Sequence, residues 1–193
     1  MSALAVVGLG ANLGAPPTQI AAALAALRRD CACGPLRVSP LYRSAPMGGM
    51  AQPDYANAVA CFPTDLNALA LLDTLQALEA AAGRHRAGER WAARPLDLDL
   101  LDLGGQSLRH PRLCLPHPGI AERDFVLLPW LTLDPAAQLS DGHRIRALWQ
   151  ARGSTVLPLW APRRQSANAD QGADPGCGPD PAAAGHSRMM SAP

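Results

Sequence analysis

Hydrophobic and polar positions change period several times along this chain, and each change marks an element. Ala3 to Leu9 is a short apolar run of β-forming character and predicts a first strand. Ile20, Leu24 and Leu27 then recur at helical spacing, which predicts a helix capped by Thr18 and ending near Arg29. Leu36 to Tyr42 predicts a second strand. Tyr55 to Phe62 alternates and predicts a third, with Tyr55 and Asn57 on one face. Leu69, Leu72, Leu75 and Leu78 form the stripe of a second helix, running from a cap at Asp65 to about Ala82. Period 2 returns in Leu96-Asp97-Leu98-Asp99-Leu100, a fourth strand. Gly104-Gly105 predicts a hairpin turn, with the return strand at Ser107–Leu108. A short helix is expected at Phe125–Leu131 despite Pro129, and a last strand at Val156–Trp160. The order βαββαβ, followed by an extra hairpin and helix, defines an α+β, ferredoxin-like chain. Its expected form is an antiparallel sheet with helices packed on one face.

The segments between these elements refine the picture. Gly8 to Gly14 reads G-L-G-A-N-L-G; its last glycine is one residue too late for a dinucleotide fingerprint, so it reads as a strand-to-helix turn. Ser44 to Pro53 holds two prolines and two glycines, and predicts a long loop of the kind that often binds ligands. From Ala161 large apolar side chains almost disappear, so residues 161–193 are expected to be a disordered tail on a domain spanning 1–160.

Formal net charge is +1, too small for the field of a nucleic-acid binder. With four tryptophans, two tyrosines and two phenylalanines, the chain also lacks an aromatic run suited to a sheet that stacks bases. All seventeen basic residues are arginine, and a Walker-A loop needs lysine, so any nucleotide site is of another kind. Five cysteines without a C-x-x-C pair argue against disulfides or zinc and suit a reducing cytoplasm. No apolar run reaches the roughly eighteen residues of a membrane span, and no charged leader opens the chain.

Chemistry concentrates between Arg84 and Leu103. Arg84, Arg86, Arg90 and Arg94 surround Trp91, and the strand that follows puts Asp97 and Asp99 side by side on one face. Neighbouring carboxylates repel unless a cation lies between them. One or two carboxylates with phosphate oxygens are a common magnesium environment, and arginine forks match the same phosphates. The stretch therefore reads as a phosphoryl-transfer site. Gln76 and Glu79 share a helix face near it, although by pattern alone that face reads as solvated.

The combination Y-R-S-A-P-M-G, Q-P-D-Y-A-N-A-V, R-x-R-x-x-x-R-W-x-x-R-x-L-D-L-D and L-P-H-P-x-x-x-x-R-x-F-V-L resembles bacterial 6-hydroxymethyl-7,8-dihydropterin pyrophosphokinases of folate biosynthesis. The similarity spans about residues 3 to 160. It implies transfer of a pyrophosphoryl unit from ATP to the pterin, with release of AMP, by a cytoplasmic monomer that engages no nucleic acid or membrane. Asp97 and Asp99 would hold two magnesium ions, and Arg84 and Arg94 would assist the transfer. Arg86, Arg90, Trp91, Leu100, Arg112, His117 and Arg123 would meet ATP, and Gln76 and Glu79 would shape its site. Tyr55 and Phe125 would stack on the pterin, Asn57 would bond its edge, and Ser44, Ala45 and Met47 would complete the pocket. Trp91 would close as a lid on a loop loosened by Gly88. The chain departs from the family pattern at Ala11, Ala87, Cys114 and Gly119. Two classes compete: a ferredoxin-like nucleic-acid-binding module, which the missing aromatic run speaks against, and a catalytically silent small-molecule sensor of the same fold, which the intact acid pair and arginines speak against.

Overall fold

The chain builds β1 (Ala3–Ala11), α1 (Pro16–Asp30), β2 (Arg37–Val38), β3 (Tyr42–Ser44), β4 (Tyr55–Thr64) and α2 (Ala68–Ala81). It continues with β5 (Asp97–Leu103), β6 (Leu108–His110), β7 (Leu113–Leu115), α3 (Asp124–Leu133), α4 (Ile145–Arg152) and β8 (Leu157–Pro158). The structure is a computed structural model and describes residues 1–49, 51–84 and 92–158. The expectations for Arg86, Ala87, Gly88, Arg90, Trp91 and the 161–193 tail lie outside the described residues.

The main sheet has the order β5-β1-β4-β3-β8, with β2 also on β4, and every pairing is antiparallel. Strand alternation gives it two apolar faces. Ala5, Val7, Leu9, Ala58, Ala60, Phe62, Leu98 and Leu100 point to the first face, where Ile20 and Leu27 of α1 and Leu71 and Leu75 of α2 cover them. Each such fully buried leucine stabilises the fold by about 1.5–3 kcal/mol. Val6, Val59, Cys61 and Leu101 point the other way and pack on Val126, Leu127 and Trp130 of α3 and on Ile145 of α4. The ferredoxin-like core is thus as expected, and α3 and α4 add a layer on its second face. The sequence reading had placed helices on one face only. It does not include α4, an eight-residue helix that buries Ile145 and packs Leu148 and Trp149 partly against the same core.

Several local expectations are corrected. Thr18 is not a cap: Pro16 can open a helix because its missing N–H costs nothing there, and α1 starts with it behind Ala15. Asp65 is not a cap either, because β4 runs on to Thr64 and the side-chain Oδ1 of Asn67 accepts from the N–H groups of Leu69 and Ala70. The buried stripe of α2 runs through Ala68, Leu71, Leu72 and Leu75, with Leu69 and Leu78 only partly buried. The second strand is broken at Ser39–Leu41, where Pro40 has no N–H to give and Ser39 Oγ instead accepts from Val59 N–H at 3.0 Å. Ser44, assigned to a loop from sequence, closes β3.

The turn at Gly104 and Gly105 forms, with φ of 59° and 67°, but its return strand does not pair with β5. β6 pairs with β7 in a separate two-stranded ribbon. A bulge in β5 leaves Leu101 as the extra residue between Leu100, opposite Val7, and Asp102, opposite Val6. It buries Asp102, whose carboxyl is pushed up by burial and accepts from Gly105 N–H at 3.0 Å. Among the described residues no helix is long and apolar enough to cross a membrane.

Candidate active site

The Gly8 to Gly14 segment is not simply the turn that its composition suggests. Gly8 and Gly10 lie inside β1, and only Gly14, at φ 66°, turns the chain toward α1. On β1 these two glycines face away from α1 and α2, directly across from the carboxylates: Gly8 pairs with Asp99 and Gly10 with Asp97. On the other side Gly10 pairs with Asn57. The sheet is therefore bare between the acid pair and the amide, a place where a flat ligand can approach backbone. A Cβ at position 10 would stand 3.5 Å from Asn57 Oδ1 and 3.8 Å from both Asp97 Cβ and Tyr55 Cδ1.

A hollow rises from this floor on the part of the second face that α3 and α4 leave open. Ser44, Ala45, Met47, Tyr55, Asn57 and Phe125 line it, together with Arg94, Asp97, Asp99 and Arg123. All six residues that the resemblance assigns to the pterin thus surround one space. Asn57 is buried, and its amide donates to Ser44 Oγ at 3.0 Å, which fixes the orientation of its carbonyl oxygen on the Gly10 side. Tyr55 OH lies 3.5 Å from Ala92 O, and burial raises its pKa, against the opposing pull of Arg94.

A second hollow runs along the outer edge of β5 toward α2 and the β6–β7 ribbon. Gln76, Glu79, Arg84, Leu100, Arg112 and His117 line it, with Asp99 shared between the two spaces. Glu79 corrects the solvated-face reading: it is 2% exposed and accepts from Arg84 and from Leu98 N–H, the latter at 2.8 Å. Arg112, in the turn of the ribbon, pairs with Asp73 of α2, and both are about half exposed. His117 donates its backbone N–H to Leu101 O at 2.9 Å, which caps the edge of β5. Gly119 N–H donates to His117 Nδ1 at 3.0 Å, so the neutral ring carries its proton on Nε2. Burial lowers the His117 pKa, and Asp99 nearby resists that shift. A Cβ at Gly119 would sit 3.0 Å from Arg123 Nε and 3.2 Å from His117 Cε1, so this departure from the family pattern leaves room for both side chains. Cys114, another departure, lines the same hollow, and Ala11 is buried in the core under the sheet.

The carboxylates are matched by arginines. Asp97 Oδ1 accepts from Arg84 Nη1 at 2.6 Å and from Arg94 Nη1 at 2.8 Å, while Asp99 pairs with Arg123. Burial works against the charge of Arg94, yet Asp97, with smaller help from Tyr55 and Asp99, holds the guanidinium pKa above its ordinary value. No group of three or more histidine, cysteine or acidic side chains gathers among the described residues. The acid pair alone offers oxygen donors but no closed cage, which fits a hard divalent ion whose shell is completed by phosphate oxygens and water.

Asn12 was not singled out from sequence, and it ties this arrangement together. Buried at the end of β1, it accepts from Arg94 N–H at 2.8 Å and donates to Gln52 Oε1 at 3.2 Å and Pro53 O at 3.1 Å. Its signal was a polar residue where a strand ends under glycines, visible only once Gly8 and Gly10 are seen to be strand residues.

An antiparallel α+β sheet with an acid pair ringed by arginines, beside an aromatic-walled hollow, defines a phosphate-handling protein of ferredoxin-like architecture. The family model described as 7,8-dihydro-6-hydroxymethylpterin-pyrophosphokinase matches residues 6–135. The 2-amino-4-hydroxy-6-hydroxymethyldihydropteridine pyrophosphokinase of Pseudomonas aeruginosa is 46% identical over 145 residues, covering 75% of this chain and 89% of its own. The protein of the same name from Haemophilus influenzae is 42% identical over 125 residues, 65% of this chain and 78% of its own. The chain belongs to this pyrophosphokinase family. Among solved structures it resembles an HPPK-DHPS in complex with substrates, at TM-score 0.63 and 13% identity. It also resembles a Plasmodium falciparum HPPK-DHPS, at 0.62 and 14%. The match covers 78% of this chain in each case, but only 43% and 45% of those longer chains, and it speaks for the fold.

Proposed function

We propose that the protein transfers the terminal pyrophosphoryl unit of ATP to the hydroxymethyl group of 6-hydroxymethyl-7,8-dihydropterin, a step of folate biosynthesis. The hydroxyl oxygen forms a bond to the β-phosphorus and gives up its proton. The bond from that phosphorus to the oxygen bridging it to the α-phosphate breaks, and AMP leaves. Family membership supports the reaction class, and the observation that carries the reading at this site is Asp99, which lines both hollows at once.

The pterin would lie over Gly10 with its ring between Tyr55 and Phe125, since a flat heterocycle favours aromatic faces. The fixed amide of Asn57 offers its edge both a donor and an acceptor. ATP would occupy the second hollow, its base toward Gln76, Glu79 and Leu100 and its phosphates toward the acid pair. Asp97 and Asp99 would hold two magnesium ions, which would supply positive charge to offset that of the phosphates. Arg84 in the second hollow and Arg94 and Arg123 in the first are paired to the carboxylates and would turn their forks to phosphate oxygens. Arg112 and His117 would contact ATP at its rim. Arg86, Arg90 and Trp91 would complete the enclosure from the adjoining loop. A cytoplasmic monomer whose activity resides in residues 1–160 is the corresponding reading of compartment and assembly.

AMP release from ATP by the purified chain, measured with and without the pterin in the presence of magnesium, tests this. AMP should form only when the pterin is present, in a one-to-one ratio with pterin diphosphate. Release of ADP and inorganic phosphate, or AMP formation that ignores the pterin, overturns the reading.

A further inference from the structure

Three consecutive residues at the start of α3 have different jobs. Arg123 pairs with Asp99, and Phe125 walls the first hollow. Asp124 between them points away from that hollow and is 5% exposed. A buried carboxylate needs partners, and Asp124 finds both in one residue 31 positions later. Its Oδ2 accepts from Thr155 N–H at 2.6 Å and from Thr155 Oγ1 at 2.7 Å. The segment around Thr155 is itself tied down on either side. Arg152 Nε donates to Glu122 O at 3.3 Å, and Leu157 and Pro158 form β8 beside Arg43 and Tyr42 of β3. Residues 152–158 thus span from the start of α3 to β3, the strand that carries Ser44.

We propose that Asp124 is a positioning residue: through its two bonds to Thr155 it fixes the first turn of α3, and so the place of Arg123 and Phe125 at the site. Val126 and Leu127 N–H groups both donate to Arg123 O, at 2.9 and 3.0 Å, so Arg123, Asp124 and Phe125 are held in one turn and move together. Arg123 cannot supply the anchor, because nothing on its own side chain caps the helix. The latch rests on the assignment of the first hollow to the pterin, and its test separates the two.

The experiment uses the full chain with Thr155→Val, Thr155→Ser and Asp124→Ala. Steady-state kinetics should show the pterin KM rising about tenfold in Thr155→Val, the scale of one lost bond to a charged group, and at least as far in Asp124→Ala, which loses both. Thr155→Ser, which keeps the hydroxyl, should stay within about twofold of the parent. A merely structural role would lower the folded fraction, and with it apparent kcat, while leaving KM where it was. Hydrogen exchange in the ligand-free protein reads the latch without any turnover: the Val126 and Leu127 amides should exchange faster in Thr155→Val and at the parent rate in Thr155→Ser. If Asp124→Ala does not fold, the threonine pair decides alone. Unchanged exchange and unchanged pterin KM in folded Thr155→Val overturn the latch. Faster exchange in Thr155→Val, together with a parent chain that never converts the pterin, keeps the latch and overturns the assignment of the hollow.

Discussion

The two hollows meet at Asp99 but are built in different ways. The first rests on β1, β3 and β4 in the middle of the sheet, and its polar group, Asn57, is buried and oriented by Ser44. The second lies along the outer edge of β5, and its walls come from α2 and a two-stranded ribbon outside the main sheet. What holds its rim is charge: Arg112 reaches Asp73, and Arg84 reaches Glu79 and Asp97. A recognition surface carried by sheet backbone keeps its geometry whether or not a ligand is bound. One carried by long arginines can exchange partners, which suits a ligand that brings several negative charges.

The point where the hollows join should be the least tolerant. Asp97→Asn or Asp99→Asn should leave the fold intact and reduce kcat by roughly a hundred- to a thousandfold, the cost of about 2.7–4 kcal/mol for one preorganised electrostatic group. Turnover within threefold of the parent at saturating magnesium would show that the acid pair does not serve the reaction.

The sheet-built side can be broken separately. Asn57→Ala removes an amide that is 3% exposed and leaves Ser44 Oγ without its donor. Losing a buried hydrogen-bonding group costs about 1–3 kcal/mol, so pterin affinity should fall by roughly ten- to a hundredfold. ATP affinity measured alone should hardly move. Equal losses for both ligands, seen by titration calorimetry, would mean that the two hollows are not separate recognition sites.

How much of this was legible in the sequence follows the same division. Strand alternation places Asp97 with Asp99 and Tyr55 with Asn57, because period 2 fixes which residues share a face. Those pairs needed no structure. Glu79 was misread as solvated because its partners, Arg84 and Leu98 N–H, come from another segment, and local periodicity carries no information about them. Gly8 and Gly10 were misread for a related reason: glycine weakens a strand signal, yet here it clears the floor between Asp97 and Asn57. Pairing of β6 with β7, rather than with β5, is likewise decided by register over distance. The α3 helix is legible despite Pro129, but which face of the sheet it covers is decided by contacts with Val6, Val59 and Leu101, far away in sequence, and so is the place of the eight-residue α4.

The rim of the second hollow should give the smallest effect, and one with a signature of its own. Arg112 and Asp73 have side chains 48% and 57% exposed, and exposed ion pairs contribute about 0–1 kcal/mol. Arg112→Ala should therefore raise the KM for ATP by no more than about fivefold, with pterin KM and kcat nearly unchanged. Asp73→Asn should act in the opposite direction or not at all, since it frees Arg112 for phosphate. Salt separates this from the losses at Asn57. Raising ionic strength from about 0.01 to 0.15 M shortens the screening length from roughly 30 to 8 Å, so the contribution of Arg112 should shrink over that range. The cost of Asn57→Ala, which involves no charge, should stay constant. An Arg112→Ala defect that is large and indifferent to salt would place Arg112 among the fixed geometry of the site, and the contrast between sheet-built and charge-built halves would fail there.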